Sequence, residues 1–162
     1  MSKSSPKPSS MREEATVFRE ADAADMPGIS RVRTSVVENH LSVAQLAERG
    51  ITDAGVAASL LTHRKGWVAQ QEGEIVAFSM ADRADASIMA LFVLPGHEGR
   101  GLGSRLLDRA LGWLWDNGAE VVWLTTAPDT RAARFYARRG WIAVGEALGG
   151  DVRFELRRPG HS

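Results

Sequence analysis

The sequence predicts one α/β (α+β) domain, a mixed central sheet of about seven strands flanked by helices. Three observations carry that prediction. Ile88–Leu94 is an apolar, partly β-branched run that leads through glycines into an amphipathic helical pattern, so strand, loop and helix follow one another. Val121–Thr125 is strand-like and follows that helix; a helical crossover makes the two strands parallel. Alternating runs on either side of Glu72-Gly73, and again on either side of Gly149-Gly150-Asp151, add two antiparallel hairpins.

In chain order, residues 1–14 are rich in Ser, Lys and Pro with nothing to bury, and are expected as a disordered tail before a single domain over 15–162. Thr16–Arg19 is a short first strand. Asp25 is expected to cap a helix with Pro27 in its second position, where proline is tolerated, and Ile29, Val32, Val36 and Val37 line one face as far as about Glu38. Ser42 and Gln45 have capping-box spacing for a short helix that stops at Gly50. Thr52 starts another, with Val56, Leu60 and Leu61 facing inward. Gly66–Gln71 and Glu74–Met80 form the first hairpin. Pro95-Gly96 ends the strand from Ile88, because proline lacks the ladder amide and glycine accepts strained angles. The helix carrying Leu106, Leu107, Ala110, Leu111 and Leu114 runs to about Asn117 and stops at Gly118. Pro128-Asp129 introduces a last helix over Thr130–Arg139, ended by Gly140, and Trp141–Leu148 with Val152–Leu156 closes the chain as a hairpin.

Composition excludes several classes of function. Among 162 residues, 20 basic and 20 acidic side chains cancel, whereas a duplex nucleic-acid binder shows a basic excess. No apolar run approaches the roughly 20 residues that span a membrane, and the N-terminal residues lack the apolar core of a secretory signal. With no cysteine, disulfides, cysteine-ligated zinc and a cysteinyl acyl-enzyme are out, and a cytoplasmic location is the expectation. The four histidines (His40, His63, His97, His161) have no ligand spacing, so no metal is expected.

Gly99-Arg100-Gly101-Leu102-Gly103-Ser104 sits between a strand and a helix N-terminus, which makes an anion site of bare amides and a favourable dipole. A phosphate-bearing ligand follows from that. A P-loop is ruled out because Arg105 follows Ser104 where the motif needs a lysine before its hydroxyl residue. A dinucleotide fingerprint fails because Ser104 stands at its third glycine and the next strand ends in Thr125-Thr126 without an acidic residue.

Glu98-Gly99-Arg100-Gly101-Leu102-Gly103 resembles the R/Q-x-x-G-x-G/A motif of the GNAT N-acetyltransferase superfamily, with Glu98 where arginine or glutamine is usual. Ala132, Phe135, Tyr136, Gly140 and Trp141 match that superfamily's A-x-x-F-Y-x-x-x-G-F/W helix, and the element order β, helices, βββ, α, β, α, ββ is similar to its fold over about Thr16–Leu156. By pattern alone Tyr136 is a packing residue; placed after the glycine loop in this order it becomes a site residue.

The resemblance implies acetyl-CoA as acetyl donor, its pyrophosphate cradled by backbone amides, with Leu91, Phe92, Val93, Glu98, Gly99, Arg100, Gly101, Leu102, Gly103, Ser104, Arg131 and Phe135 on the cofactor side. It implies direct transfer in a ternary complex to a small-molecule or peptide amine, an amide at Leu91 or Phe92 polarising the thioester carbonyl, and Tyr136 as general acid. Arg33, Glu38 and Asn39 become acceptor-side candidates, although a helix terminus explains that polar stretch as well. Glu38, Asp82 and a water chain stay open as general base, and a homodimer stays open as the assembly. The runner-up is a non-catalytic acyl-CoA-binding sensor or scaffold.

Overall fold

The computed structural model describes residues 16–35 and 52–160. Their strands are β1 (Val17–Glu20), β2 (Arg64–Gln71), β3 (Glu74–Asp82), β4 (Ser87–Val93), β5 (Val121–Thr126), β6 (Ile142–Glu146) and β7 (Val152–Arg157). The helices among these residues are α1 (Met26–Ser35), α2 (Asp53–Ser59), α3 (Leu102–Asp116) and α4 (Arg131–Arg138), with short 3-10 turns at Ala23–Asp25 and Leu148–Gly150. The strands form one seven-stranded mixed sheet in the order β1-β2-β3-β4-β5-β7-β6, in which β4 and β5 are the parallel pair. The fold class expected from the sequence is therefore the one observed.

Each face of the sheet carries a layer of helix. On one face Leu106, Leu107, Ala110 and Leu114 of α3 pack with Val76, Val122, Leu124, Tyr136, Trp141 and Phe154. The three- and four-residue spacing of those leucines puts them on one stripe, and burial of each such side chain favours folding by roughly 1.5–3 kcal/mol. The buried Ser79 hydroxyl donates to the Leu106 carbonyl at 3.0 Å, which fixes α3 along β3. On the other face Met26, Ile29 and Val32 of α1 and Val56 of α2 cover Val68, Phe78, Met80 and Ala90.

Local expectations are corrected at three places. Asp25 does not cap α1: Asp22 caps the preceding 3-10 turn, and the Asp25 carboxylate is buried against Arg19, which donates to it at 2.9 and 2.8 Å. Leu61 does not face inward. Helix α2 ends at Ser59, the chain turns at Leu60, and Leu61 stands 88% exposed. The last hairpin forms, but β6 is shorter than expected and every residue of it is exposed, since it is the outer edge strand. Residues 1–14, Val36, Val37, Glu38, Asn39 and the capping box at Ser42 and Gln45 lie outside the described residues.

Candidate active site

The site begins with a break in the sheet. The Trp123 amide donates to the Ala86 carbonyl at 3.1 Å, and Ser87 lies opposite Trp123; beyond that pair the parallel strands β4 and β5 part. A bulge prepares the opening. Met80 pairs with Ala90 and Ala81 with Ile88, so Met89 is the extra residue on β4. An extra residue exchanges the two edges of a strand. Before the bulge the Ala86 carbonyl faces β5, and after it the Leu94 amide faces β3, donating to the Val76 carbonyl at 2.8 Å. By antiparallel alternation the Phe92 amide also faces β3, while the amides of Leu91 and Val93 face the opening. Of the two amides the sequence left open, that of Leu91 is the one on the edge facing the opening.

The chain then turns sharply. The His97 amide donates to the Leu94 carbonyl at 3.0 Å, with Gly96 at φ 92°. Those are the marks of a type II turn, which takes proline second and glycine third. The Glu98 carboxylate folds back to accept from the Gly96 amide at 2.9 Å, so the residue that departs from the motif is a clasp on its own turn. Gly99 and Gly101 are left-handed at φ 81° and 82°, and a Cβ on either would meet nothing within 4 Å, standing instead in open space. Gly101 is the N-cap of α3 and supplies no side chain to its amides. The first helical return bond is from Arg105 to the Gly101 carbonyl at 3.1 Å, which leaves the amides of Leu102, Gly103 and Ser104 directed outward.

Helix α4 forms the facing wall. Thr130 caps it by accepting from the Ala133 amide at 3.1 Å, and Asp129 before it is left-handed at φ 59°. Phe135, Trp141 and Phe154 surround the Tyr136 ring at 5.3, 5.4 and 6.2 Å between centroids. Burial pushes the phenol above its ordinary value near 10. Arg139 bridges the two helices: it donates to the Ser104 hydroxyl at 2.9 Å, pairs with Asp108 at 3.1 Å, and stacks 5.4 Å over the Phe135 ring.

These pieces enclose an open cleft of about 910 Å³. Of the residues expected on the cofactor side, Leu91, Phe92, Val93, Glu98, Gly99, Gly101, Leu102, Gly103, Ser104, Arg131 and Phe135 line it, together with Tyr136. Arg100 is not among its lining. Arg33 is on α1, stacked 5.3 Å over Phe78, and does not line it either. Asp82 is tied to His63 and Arg64 at the far end of β3 and is likewise outside the cleft. Sequence reasoning missed Met89, His97, Thr125, Thr126, Ala127 and Asp151, all of which line it. Asp151 was visible only as a turn residue, and no local signal marks the bulge at Met89.

Fold and cleft define a class: an α/β protein whose parallel pair is split beside a glycine-lined helix N-terminus. A model of the acetyltransferase (GNAT) family matches residues 23–141, and the chain belongs to that family. It is 36% identical over 111 residues to an uncharacterized N-acetyltransferase of Mycobacterium tuberculosis H37Rv, a match covering 66% of this chain and 65% of that protein's length. It is 27% identical over 131 residues to the 5-NmdU N-acetyltransferase of Pseudomonas phage PaMx11, covering 74% of this chain and 92% of the phage protein. Among solved structures, the PaiA N-acetyltransferase of Thermoplasma acidophilum in complex with coenzyme A superposes with a TM-score of 0.76 at 13% identity, over 89% of this chain and 99% of that one. YncA of Salmonella typhimurium, solved with its cofactor acetyl-CoA, superposes at 0.69 and 19% identity, over 91% and 96%. At such identities the structural likeness speaks for the fold. No described helix is long and apolar enough to cross a membrane.

Proposed function

We propose that this chain is an N-acetyltransferase that moves an acetyl group from acetyl-CoA directly to a primary amine of a small molecule or peptide, with both bound at once. The observation that carries the reading is the continuity of the cleft from the Gly99–Ser104 amides, past the Leu91 amide, to Tyr136. The glycine loop fits the donor, since the space a Cβ would fill at Gly99 and Gly101 is what a pyrophosphate needs to approach backbone amides. Coenzyme A in the related structures from Thermoplasma and Salmonella supports the choice of ligand.

Acetyl-CoA supplies the acetyl group as a thioester; the rest is done by the chain. The amides of Gly99 to Ser104 and the α3 N-terminus hold the pyrophosphate, with Arg131 on the facing helix adding positive charge. Leu91 donates to the carbonyl oxygen, a contact worth about 3 kcal/mol when water is excluded. The amine nitrogen bonds to the carbonyl carbon as the carbon–sulfur bond breaks. Tyr136 gives its proton to the departing sulfur, and the proton lost by nitrogen restores the phenol through solvent. At neutral pH the phenol carries its proton, the form a donor needs, and burial among aromatic rings holds it in that form.

The test is thiol release from acetyl-CoA against a panel of amines, run on wild type, Tyr136→Phe and Tyr136→Ala. Tyr136→Phe should lose about 100- to 10,000-fold in turnover while binding acetyl-CoA as before. Tyr136→Ala should in addition lose roughly 3–5 kcal/mol of stability through the cavity left among three aromatic rings. A Phe variant within about threefold of wild type removes Tyr136 from the chemistry. Tight acetyl-CoA binding with no thiol release for any amine would instead leave a non-catalytic acyl-CoA module.

A further inference from the structure

Among the described residues, two acidic ones line the cleft, Glu98 and Asp151. Glu98 is committed to the Gly96 amide. The Asp151 carboxylate has no hydrogen-bond or ion-pair partner among the described residues, although it is half-buried. The cation nearest in sequence, Arg153, is spent elsewhere: its Nε donates to Glu155 at 3.2 Å and its guanidinium stacks 4.3 Å over Trp123.

The backbone around Asp151 is built rather than loose. Gly149 and Gly150 are left-handed at φ 79° and 85°, and the Ala147 amide donates to the Asp151 carbonyl at 2.7 Å. Asp151 itself is extended at φ −70° and ψ 159°, so it continues the alternation of β7. Leu124 pairs with Phe154, and both enter the core beneath α3 and Tyr136. Thr125 pairs with Arg153 on the opposite face, and Asp151, two residues from Arg153, shares that face. Glycine-loop amides and Asp151 thus meet the cleft from opposite faces of the sheet.

Height along the strands locates the carboxylate. Ser87 lies level with Trp123, and Thr126 with Val152, so Asp151 and Ala127 fall near the height of Leu91, within the one residue that the bulge displaces. In an unbroken sheet β7 would stand two strands from β4, roughly 10 Å, and the parting of β4 and β5 widens that. Asp151 is therefore too far to hold the nitrogen being acetylated at Leu91, and a nitrogen held there as ammonium would have no lone pair to attack with.

Resting on the acetyl-transfer reading above, we propose that Asp151 binds a second cationic group of the acceptor, one that is not acetylated. The acceptor class is then an amine with another ammonium or guanidinium a few bonds from the reacting nitrogen. A charge-assisted contact to a carboxylate without a protein partner discriminates such acceptors from neutral-tailed amines of equal length.

The experiment compares matched pairs, 1,4-diaminobutane with 1-aminobutane and 1,6-diaminohexane with 1-aminohexane, using acetyl-CoA with wild type, Asp151→Asn and Asp151→Glu. Wild type should favour at least one diamine over its partner by about tenfold or more in kcat/KM. Asp151→Asn should raise that diamine's KM about tenfold, leave the monoamine within about threefold, and leave the KM for acetyl-CoA and the melting temperature unchanged. Asp151→Glu should recover part of the preference. A wild type that binds acetyl-CoA by calorimetry but prefers no diamine, or turns over neither amine, overturns the inference. So does an Asn variant that weakens both members of a pair equally. Failure to bind acetyl-CoA at all overturns the reading beneath it, and this inference falls with that reading.

Discussion

Asp25 shows how much a single residue can owe to a partner the local sequence does not name. Read along the chain it sits where a helix cap belongs, two residues before Pro27. In the fold it accepts two bonds from Arg19 on β1 and one from the Asp22 amide at 2.9 Å. The Arg19 hydrogen bond, opposed by burial and aided by the Asp22 amide, holds the Asp25 carboxyl below the usual carboxylate range. A lowered native value means the stability is present above the unfolded value near 3.9 and is lost as pH falls through the native one. Asp25→Asn should therefore cost roughly 1.5–3 kcal/mol at pH 7, and its gap from wild type should narrow below about pH 4. Urea titrations at pH 7 and pH 3 check this; a gap that stays constant across that range would show that the pair contributes no charge-dependent stability. Acid sensitivity will not vanish in the variant. Asp82, which burial alone would raise, is held low by His63 and Arg64 at 3.0 Å each and the Ala84 amide at 2.8 Å, and it responds to acid in the same direction.

At the scale of elements, the segments legible in the sequence are those whose causes are local. Strand, Pro-Gly turn, glycine loop and α3 follow one another within about thirty residues, and each is dictated by its own residue types. The bulge at Met89 is not local, since it exists only against Met80 and Ala81 on β3. Neither is the tie from Arg139 to Ser104, which joins residues 35 apart and fastens the end of α4 to the start of α3. The glycine loop itself yields a sharp expectation. Gly101 is left-handed at φ 82°, and a side chain there would project into the open cradle, whereas Gly103 is helical and its Cβ would make ordinary contacts of 3.8 Å to Val93 and 3.9 Å to Phe135. Gly101→Val should lose at least about tenfold in acetyl-CoA affinity and about 1–2 kcal/mol in stability from backbone strain. Gly103→Ala should keep the fold. Calorimetry on a folded Gly101→Val that matches wild-type affinity would move the phosphate site elsewhere.

Across the whole molecule, the sheet is two hydrogen-bonded units, β1-β2-β3-β4 and β5-β7-β6, that meet at the Ala86–Trp123 bond. The order of elements and the fold class could be read from the sequence, because hairpins and a helical crossover leave few ways to arrange seven strands, but the seating of β7 between β5 and β6 could not. How far β4 and β5 diverge could not, for nothing in either strand records where the other turns away. Below the split the halves are held by α3 and by the core that joins Leu106 and Leu107 to Tyr136, Trp141 and Phe154. Above it, the Leu91 and Val93 amides face the opening and not a ladder partner on β5. Acetyl-CoA seated there should act as the missing strand contact. At about 100 times its Kd it should add roughly 2.7 kcal/mol of stability, which for a domain of this size raises Tm by roughly 5–11 °C. The gain should be local in origin. Amide hydrogen exchange should slow at Leu91, Val93 and Leu102–Ser104 on adding acetyl-CoA, while the exposed edge strand β6 exchanges as before. If Tm rises but Leu91 and Val93 exchange unchanged, the ligand binds outside the split strands, and the Leu91 amide has no part in holding the thioester.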